Sequence, residues 1–207
     1  GLTIRDSSTS PVNGTLLEVQ NSAAATLFSV NGTVTEYASN AGAESTFSAS
    51  NWVALGSSTV TRNTTASNVA SGQGSAQVAT TTAASDGVKN VLSTTLTASQ
   101  HYNLSFSAKL SSGTFTDLAA YYSIDGSANS VTCTTGQAIK TKVWTKVTCA
   151  FTAPTSGITS NNSINIRQVG SGTARTFYVD NISVTIAADY NYATDGTVND
   201  NTNFTTN

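Results

Sequence analysis

TFYVDNISVTI, Thr176–Ile186, is dense in β-branched and aromatic residues, and Asp180-Asn181 interrupts its apolar/polar alternation. It reads as a long strand with a polar device in the middle. An unpaired carboxylate is costly to bury, so Asp180 needs a partner. The best candidate lies far upstream, in Asn40-Ala41-Gly42-Ala43-Glu44. If the two meet, the last strand of a domain closes beside its first, and residues from about 37 to 187 form one unit.

The rest of that stretch fits such a unit. Strands are expected at 59–63, 75–80, 89–97, 102–110, 118–124, 131–135, 142–152, 163–168 and 176–186. Turn signals separate them, among them Ser71-Gly72-Gln73-Gly74, Asp86-Gly87, Ser111-Ser112-Gly113 and Asp125-Gly126. Many short strands at this spacing mean an all-β sandwich or barrel. Alternation then assigns faces. Tyr102, Leu104, Phe106, Ala108 and Leu110 point inward, with Asn103, Ser105, Ser107 and Lys109 outside. Likewise Leu118, Ala120, Tyr122 and Ile124 go in, and Asp117, Tyr121 and Asp125 come out. On two further strands Val147, Cys149, Phe151, Ile164 and Ile166 are inward, while Lys146, Thr148, Asn165 and Arg167 are outward.

Composition removes several function classes. Only 10 % of the 207 residues are charged and the net charge is -2. No basic stripe exists to displace counterions, which argues against nucleic acid. No apolar run approaches the ~18 residues of a membrane span. Ser and Thr make up roughly a third of the chain, well above ordinary usage. The chain opens at Gly1 without an initiator Met, as a processed chain or a segment of a longer polypeptide would.

The two cysteines, Cys133 and Cys149, fall on neighbouring expected strands. They read either as a disulfide, which would point to an oxidising, extracellular or cell-surface setting, or as two buried free thiols.

Residues 1–36 differ in character from the remainder of the chain. Leu2–Ile4, Leu16–Val19 and Leu27–Val30 are short apolar bursts between Ser/Thr/Asn/Gly clusters. Each is strand-like but too short to be stable alone. Such an extension is either a linker or a strand donor that adds to the sheet of another copy. At the other end of the domain lies a polar C-terminal tail, 188–207.

The order Asn40-x-Gly-x-Glu44, Phe47, Trp52, Ser71-Gly72 and Gln77-Val78 resembles carbohydrate-binding modules of the family 4/9 type. So do Tyr102-x-Leu-Ser-Phe-Ser-Ala108, Trp144-Thr-Lys-Val-x-Cys-x-Phe151 and Phe177-Tyr-Val-Asp-Asn-Ile-Ser-Val184. The resemblance spans about 37–187 and implies a jelly-roll, galactose-binding-like β-sandwich. It also implies a structural Ca²⁺ held by Glu44 and Asp180 with backbone carbonyls near 71–74. Two carboxylates would supply the oxygen ligands and charge a hard cation needs. The plainer reading is that Asp180 caps a bulge by accepting backbone N–H groups.

Nothing in the sequence assembles into catalysis. The single histidine, His101, opens a strand beside no nucleophile, and no phosphate loop, zinc spacing or nucleophile elbow is present. A sugar site normally needs an aromatic face with hydrogen-bonding neighbours. On the outward face that leaves Tyr121, with Asp117, Asn165 and Arg167. Two non-catalytic functions fit these residues. One is an extracellular structural or adhesive protein, its domain strung into a fibre or filament by terminal segments that pair with copies of itself. The alternative is a polysaccharide-binding module of a secreted polysaccharide-degrading enzyme.

Overall fold

The computed structural model describes residues 3–5, 15–20, 26–31, 35–127 and 131–187. The tail at 188–207 lies outside them. The chain divides into two compact units, Gly1–Thr35 and Glu36–Asn207.

In the first unit the three apolar bursts become β1 (Thr3–Arg5), β2 (Thr15–Gln20) and β3 (Thr26–Asn31). They form an antiparallel sheet in that order, with Val19 in register with both Ile4 and Phe28. The bursts therefore pair with one another. Pairing of this kind satisfies part of the backbone hydrogen-bonding capacity of the three strands within the unit.

The second unit is a sandwich of two five-stranded antiparallel sheets. One has the order β10 (Val131–Ile139), β9 (Phe115–Ser123), β12 (Ser163–Gln168), β7 (Gly87–Val91), β4 (Trp52–Leu55). The other runs β11 (Thr145–Thr152), β8 (His101–Leu110), β13 (Thr176–Ile186), β6 (Ser75–Ala79), β5 (Thr59–Asn63). This is the jelly-roll β-sandwich that the family resemblance implies, and it falls within the sandwich-or-barrel class that alternation and turn spacing lead to. Strand β13 lies at the centre of its sheet and the entry segment runs along it. Tyr37 N–H donates to Val184 O at 3.0 Å and Ile182 N–H to Ala41 O at 3.1 Å. The Glu36 carboxylate accepts from Val184 N–H at 2.7 Å.

Between the sheets lies an aromatic column. Phe151 stacks on Tyr102 at 5.7 Å and on Tyr122 at 5.0 Å, and Phe115 meets Phe177 edge-on at 5.3 Å. Both buried phenols find partners: Tyr102 Oη accepts Thr97 N–H, and Tyr122 Oη donates to Asn162 Oδ1. Each such ring contributes buried area and a modest geometric preference. Cys133 and Cys149 form a disulfide between β10 and β11, the edge strands at one side of the sandwich. The bond thus ties one sheet to the other.

Several details depart from the sequence reading: the strand expected at 89–97 is β7 at Gly87–Val91, and that expected at 131–135 continues to Ile139 as β10. Strand β11 begins at Thr145 rather than 142, because Lys142 takes a φ of 64° that no strand continues. Strand β4 is missing from the expected set because its four residues come after a polar loop and offer little periodicity. Lys109, expected outside, is 5 % exposed. Its strand parity is right, but a short helical turn at Ala66–Asn68 folds over it.

Candidate functional site

The outward face of the β9–β12–β7 sheet is built by cross-strand register. One row runs Thr132, Tyr121, Asn165, Lys89, Val53 across all five strands. The next runs Ala119, Arg167, Gly87, Leu55. Residues diagonal to each other on one face are within reach of long side chains. Arg167 uses that reach and places its Cζ 4.5 Å from the Tyr121 ring centroid. Gly87 permits the approach: a Cβ there would lie 2.6 Å from Arg167 Cβ and 2.2 Å from Ile166 O.

Consequently Tyr121 is not the free aromatic platform that its parity suggests. It is 8 % exposed, and Asn165 beside it is 1 % exposed. What this face offers is a set of hydrogen-bonding groups above a ring. The Arg167 Nε is buried without a hydrogen-bond partner. Asn165 Oδ1 accepts from Ser163 Oγ at 3.0 Å. Lys89 Nζ reaches Gly126 O at 2.9 Å, which holds the ammonium at the end of the face.

Asp117 is engaged elsewhere. Its Oδ1 lies 3.3 Å from Arg175 Nη2 and its Oδ2 accepts Gly170 N–H at 2.9 Å. So the structure brings Tyr121, Asn165 and Arg167 together and ties Asp117 to the neighbouring loop. Lys89 and Thr132 join the row without having been singled out from the sequence. Their membership depends on inter-strand register, which alternation within one strand does not carry.

At the other sheet, Glu44 and Asp180 both accept amides of the 70–73 loop, near enough for the charge of Glu44 to act on Asp180. Asp180, 0 % exposed, accepts Asn181 N–H on Oδ1 at 2.7 Å. Its Oδ2 accepts Ala70 N–H at 2.8 Å and Ser71 N–H at 3.2 Å. It sits at a β-bulge, where pairing with β8 shifts between Asp180 and Ser183 and Asn181 takes a φ of 51°. Burial pushes its carboxyl above the usual range, the three amides pull it back, and the charge of Glu44 raises it again. Glu44 Oε2 accepts Gln73 N–H at 2.7 Å, while Oε1 lies 1.8 Å from where a Cβ on Gly72 would stand. That crowding, with a φ of 70°, makes glycine necessary there. Arg62 serves the same loop through carbonyls, those of Ala43, Glu44 and Gln73, rather than through the carboxylates. Among the described residues neither acid has an ion pair, and no third His, Cys, Asp or Glu joins them. Two unneutralised carboxylates with an open oxygen on Glu44 fit a hard cation.

A second buried acid was read in the sequence as a turn residue only. Asp86 Oδ1 accepts Ser57 N–H at 2.8 Å, and its Oδ2 accepts Thr81 N–H at 2.7 Å and Thr81 Oγ1–H at 2.6 Å. It joins the β4–β5 and β6–β7 loops and has no free face for chemistry.

Comparison with known proteins places this geometry. No curated protein sequence matches the chain. Among solved structures, the CBM22-1 xylan-binding domain of Paenibacillus barcinonensis Xyn10C is similar at 13 % identity. The match has a TM-score of 0.57 and covers 75 % of this chain and 95 % of that one. The CBM22-1–GH10 modules of Clostridium thermocellum endo-1,4-β-D-xylanase 10B, complexed with xylohexaose, match at 20 % identity and TM-score 0.56. There the match covers 80 % of this chain and 30 % of that one. A cyclase from Fischerella sp. TAU shares the fold at 16 % identity and TM-score 0.54, over 75 % of this chain and 98 % of its own. At these identities the likenesses establish the fold alone, since one sandwich serves binding and catalysis. The sequence itself goes further: the model of the CBM_4_9 family, described as a carbohydrate binding domain, matches residues 35–167. The chain belongs to the 4/9 family of carbohydrate-binding domains.

Proposed function

We propose that the second unit binds a neutral polysaccharide chain on the outward face of the β9–β12–β7 sheet, as the binding module of a secreted polysaccharide-acting protein. The observation that carries this reading is the Arg167–Tyr121 stack set beside Asn165 on a carbohydrate-binding fold. A guanidinium fixed by a ring offers several N–H donors in a planar fork, which suits pairs of vicinal sugar hydroxyls. Xylan is the first polymer to test, because the similar domain of Paenibacillus barcinonensis Xyn10C is xylan-binding. Affinity electrophoresis through xylan, mixed-linkage glucan and hydroxyethyl cellulose tests the reading. Retardation that Arg167→Ala abolishes supports it. No retardation in any polymer, or retardation indifferent to Arg167→Ala, overturns it.

For the carboxylate pair we propose a structural Ca²⁺ held by Glu44 and Asp180. It would fasten the 70–73 loop to β13, and no step in sugar recognition passes through it.

Assembly into a fibre is a second reading. One observation favours it: β1, β2 and β3 pair with one another as an antiparallel sheet within the compact first unit. A three-stranded sheet has two edge strands, and an edge is a template for pairing with another copy. Sedimentation of the intact chain against one lacking residues 1–35 separates the cases. Association that disappears on truncation supports assembly, and monomers in both samples exclude it.

A further inference from the structure

The outer face of the opposite sheet carries a feature that the neutral-glycan reading does not use. Lys109 sits between two rings, its Nζ 5.3 Å from the Trp144 centroid and 5.2 Å from that of Tyr178. The arrangement is a consequence of register: Tyr178 is opposite Lys109 on β13, and Trp144 immediately precedes Thr145, the partner of Ala108. The ammonium also donates to Ser67 O and, at 2.9 Å, to Asn68 Oδ1.

Around it the chain gathers positive charge. Of nine Lys and Arg residues, four are Lys109, Lys140, Lys142 and Lys146. The loop carrying Lys140 and Lys142 is held to the end of β8 by Leu110 N–H on Lys140 O at 3.0 Å and by a bridge between Leu110 and Thr141. Lys146 stands opposite Ser107, one row along from Lys109. The three loop and β11 lysines are exposed, and none of the four has an ion pair among the described residues. At this corner lies a cavity of about 440 Å³, lined by Ser67, Asn68, Lys109, Ser111, Lys142 and Tyr178 among others.

We propose that this corner is a second binding site, for a uronate-bearing sugar chain, with Lys142 and Lys140 facing the carboxylate and Asn68, Ser111 and Tyr178 lining the sugar. The chemistry favours a uronate over other anions. The cavity has the size of a small-ligand cleft. Its wall combines an aromatic side chain with hydroxyl and amide groups, which suit a sugar ring. A nucleic acid would need a longer track of cations than one corner of a chain with net charge -2 supplies. Lys109 is a positioning residue. Held between two rings and two oxygens, it fixes the Ser67–Asn68 turn that forms the cavity wall. Burial lowers the pKa of its ammonium below the ordinary lysine value.

The site is independent of the neutral-glycan face, so both are measured on the same proteins. Isothermal titration with a hexagalacturonate and with its fully methyl-esterified form separates charge from ring shape. The expected result is that the wild type binds hexagalacturonate at low salt and the ester at least tenfold more weakly. The doubly substituted Lys140→Gln/Lys142→Gln chain loses at least tenfold on hexagalacturonate and nothing on xylan. Raising the salt to roughly 1 M, where charges are screened within a few ångströms, weakens the binding further. Arg167→Ala leaves hexagalacturonate binding intact. Equal binding of acid and ester, indifference to the double substitution, or no binding of hexagalacturonate overturns the proposal. Xylan binding in the same experiments reports separately on the neutral face. Both substituted lysines are exposed, so unchanged melting of the double variant shows that the fold is kept.

Discussion

Arg167 covers Tyr121, its Cζ 4.5 Å from the ring centroid. The aromatic residue that parity places outward therefore has its ring face covered by an arginine. A cation over an aromatic face is worth about 0.5–2 kcal/mol. Removing the ring with Tyr121→Ala should weaken polysaccharide binding roughly two- to thirtyfold by releasing the guanidinium. Removing the donors with Arg167→Ala should cost more. Titration with xylohexaose checks both variants, and a larger loss for Tyr121→Ala than for Arg167→Ala would make the ring itself the platform.

Asp86 predicts an acid limb to stability. Burial raises its carboxyl, but the Thr81 hydroxyl and the Ser57 and Thr81 amides outweigh burial and hold it below the usual 3.8. A folded-state value below the unfolded one means the stabilisation is complete above 3.8 and disappears as pH falls through the lower value. Asp86→Asn should lower stability near neutral pH by about 1–3 kcal/mol, since an amide group turns one acceptor into a donor among donors. Denaturant melts from about pH 6 down to about pH 3 should then converge for the two proteins. Parallel curves across that range would show that Asp86 contributes nothing through its charge.

How far the sequence reaches is clear from particular strands. β5, β12 and β13 begin and end where their polar and apolar alternation does. The inward set on β8, from Tyr102 to Leu110, is buried in full. These are properties of one strand and its turns, and a period of two encodes them. The outward faces are less legible. Lys109 follows parity outward and is then covered by a turn some 40 residues upstream, at Ala66–Asn68. Tyr121 is covered from a strand about 45 residues downstream. Whether a side chain facing out also faces water depends on register and on loops from elsewhere, and a strand's own residues specify neither.

The disulfide between Cys133 and Cys149 joins the edge strands of the two sheets across a sequence separation of 16. Closing a loop of that length is worth about 3 kcal/mol. Reduction, or Cys133→Ser with Cys149→Ser, should lower the melting temperature by roughly 6–12 °C for a domain of this size. Scanning calorimetry with and without reductant checks it. A double variant that melts with the oxidised wild type would mean that the sheets need no tether at this edge.

Glu44 and Asp180 yield a prediction whose two arms move oppositely. Burial raises the Asp180 carboxyl above its ordinary value and the charge of Glu44 adds to the rise, so in the absence of a cation the pair repels. Glu44→Gln removes that repulsion and keeps an oxygen to accept Gln73 N–H, the bond that Glu44 Oε2 makes at 2.7 Å. Without added calcium, this variant should melt at or above the wild type. With calcium the order reverses. A ligand at a hundred times its dissociation constant stabilises the folded state by about 2.7 kcal/mol, and the variant has lost one of the two carboxylates that hold it. The measurement is the melting temperature of both proteins in EGTA and in calcium. A wild type indifferent to calcium sinks the metal reading and leaves Asp180 as a cap on its bulge. A variant that gains as much as the wild type would place the ion elsewhere.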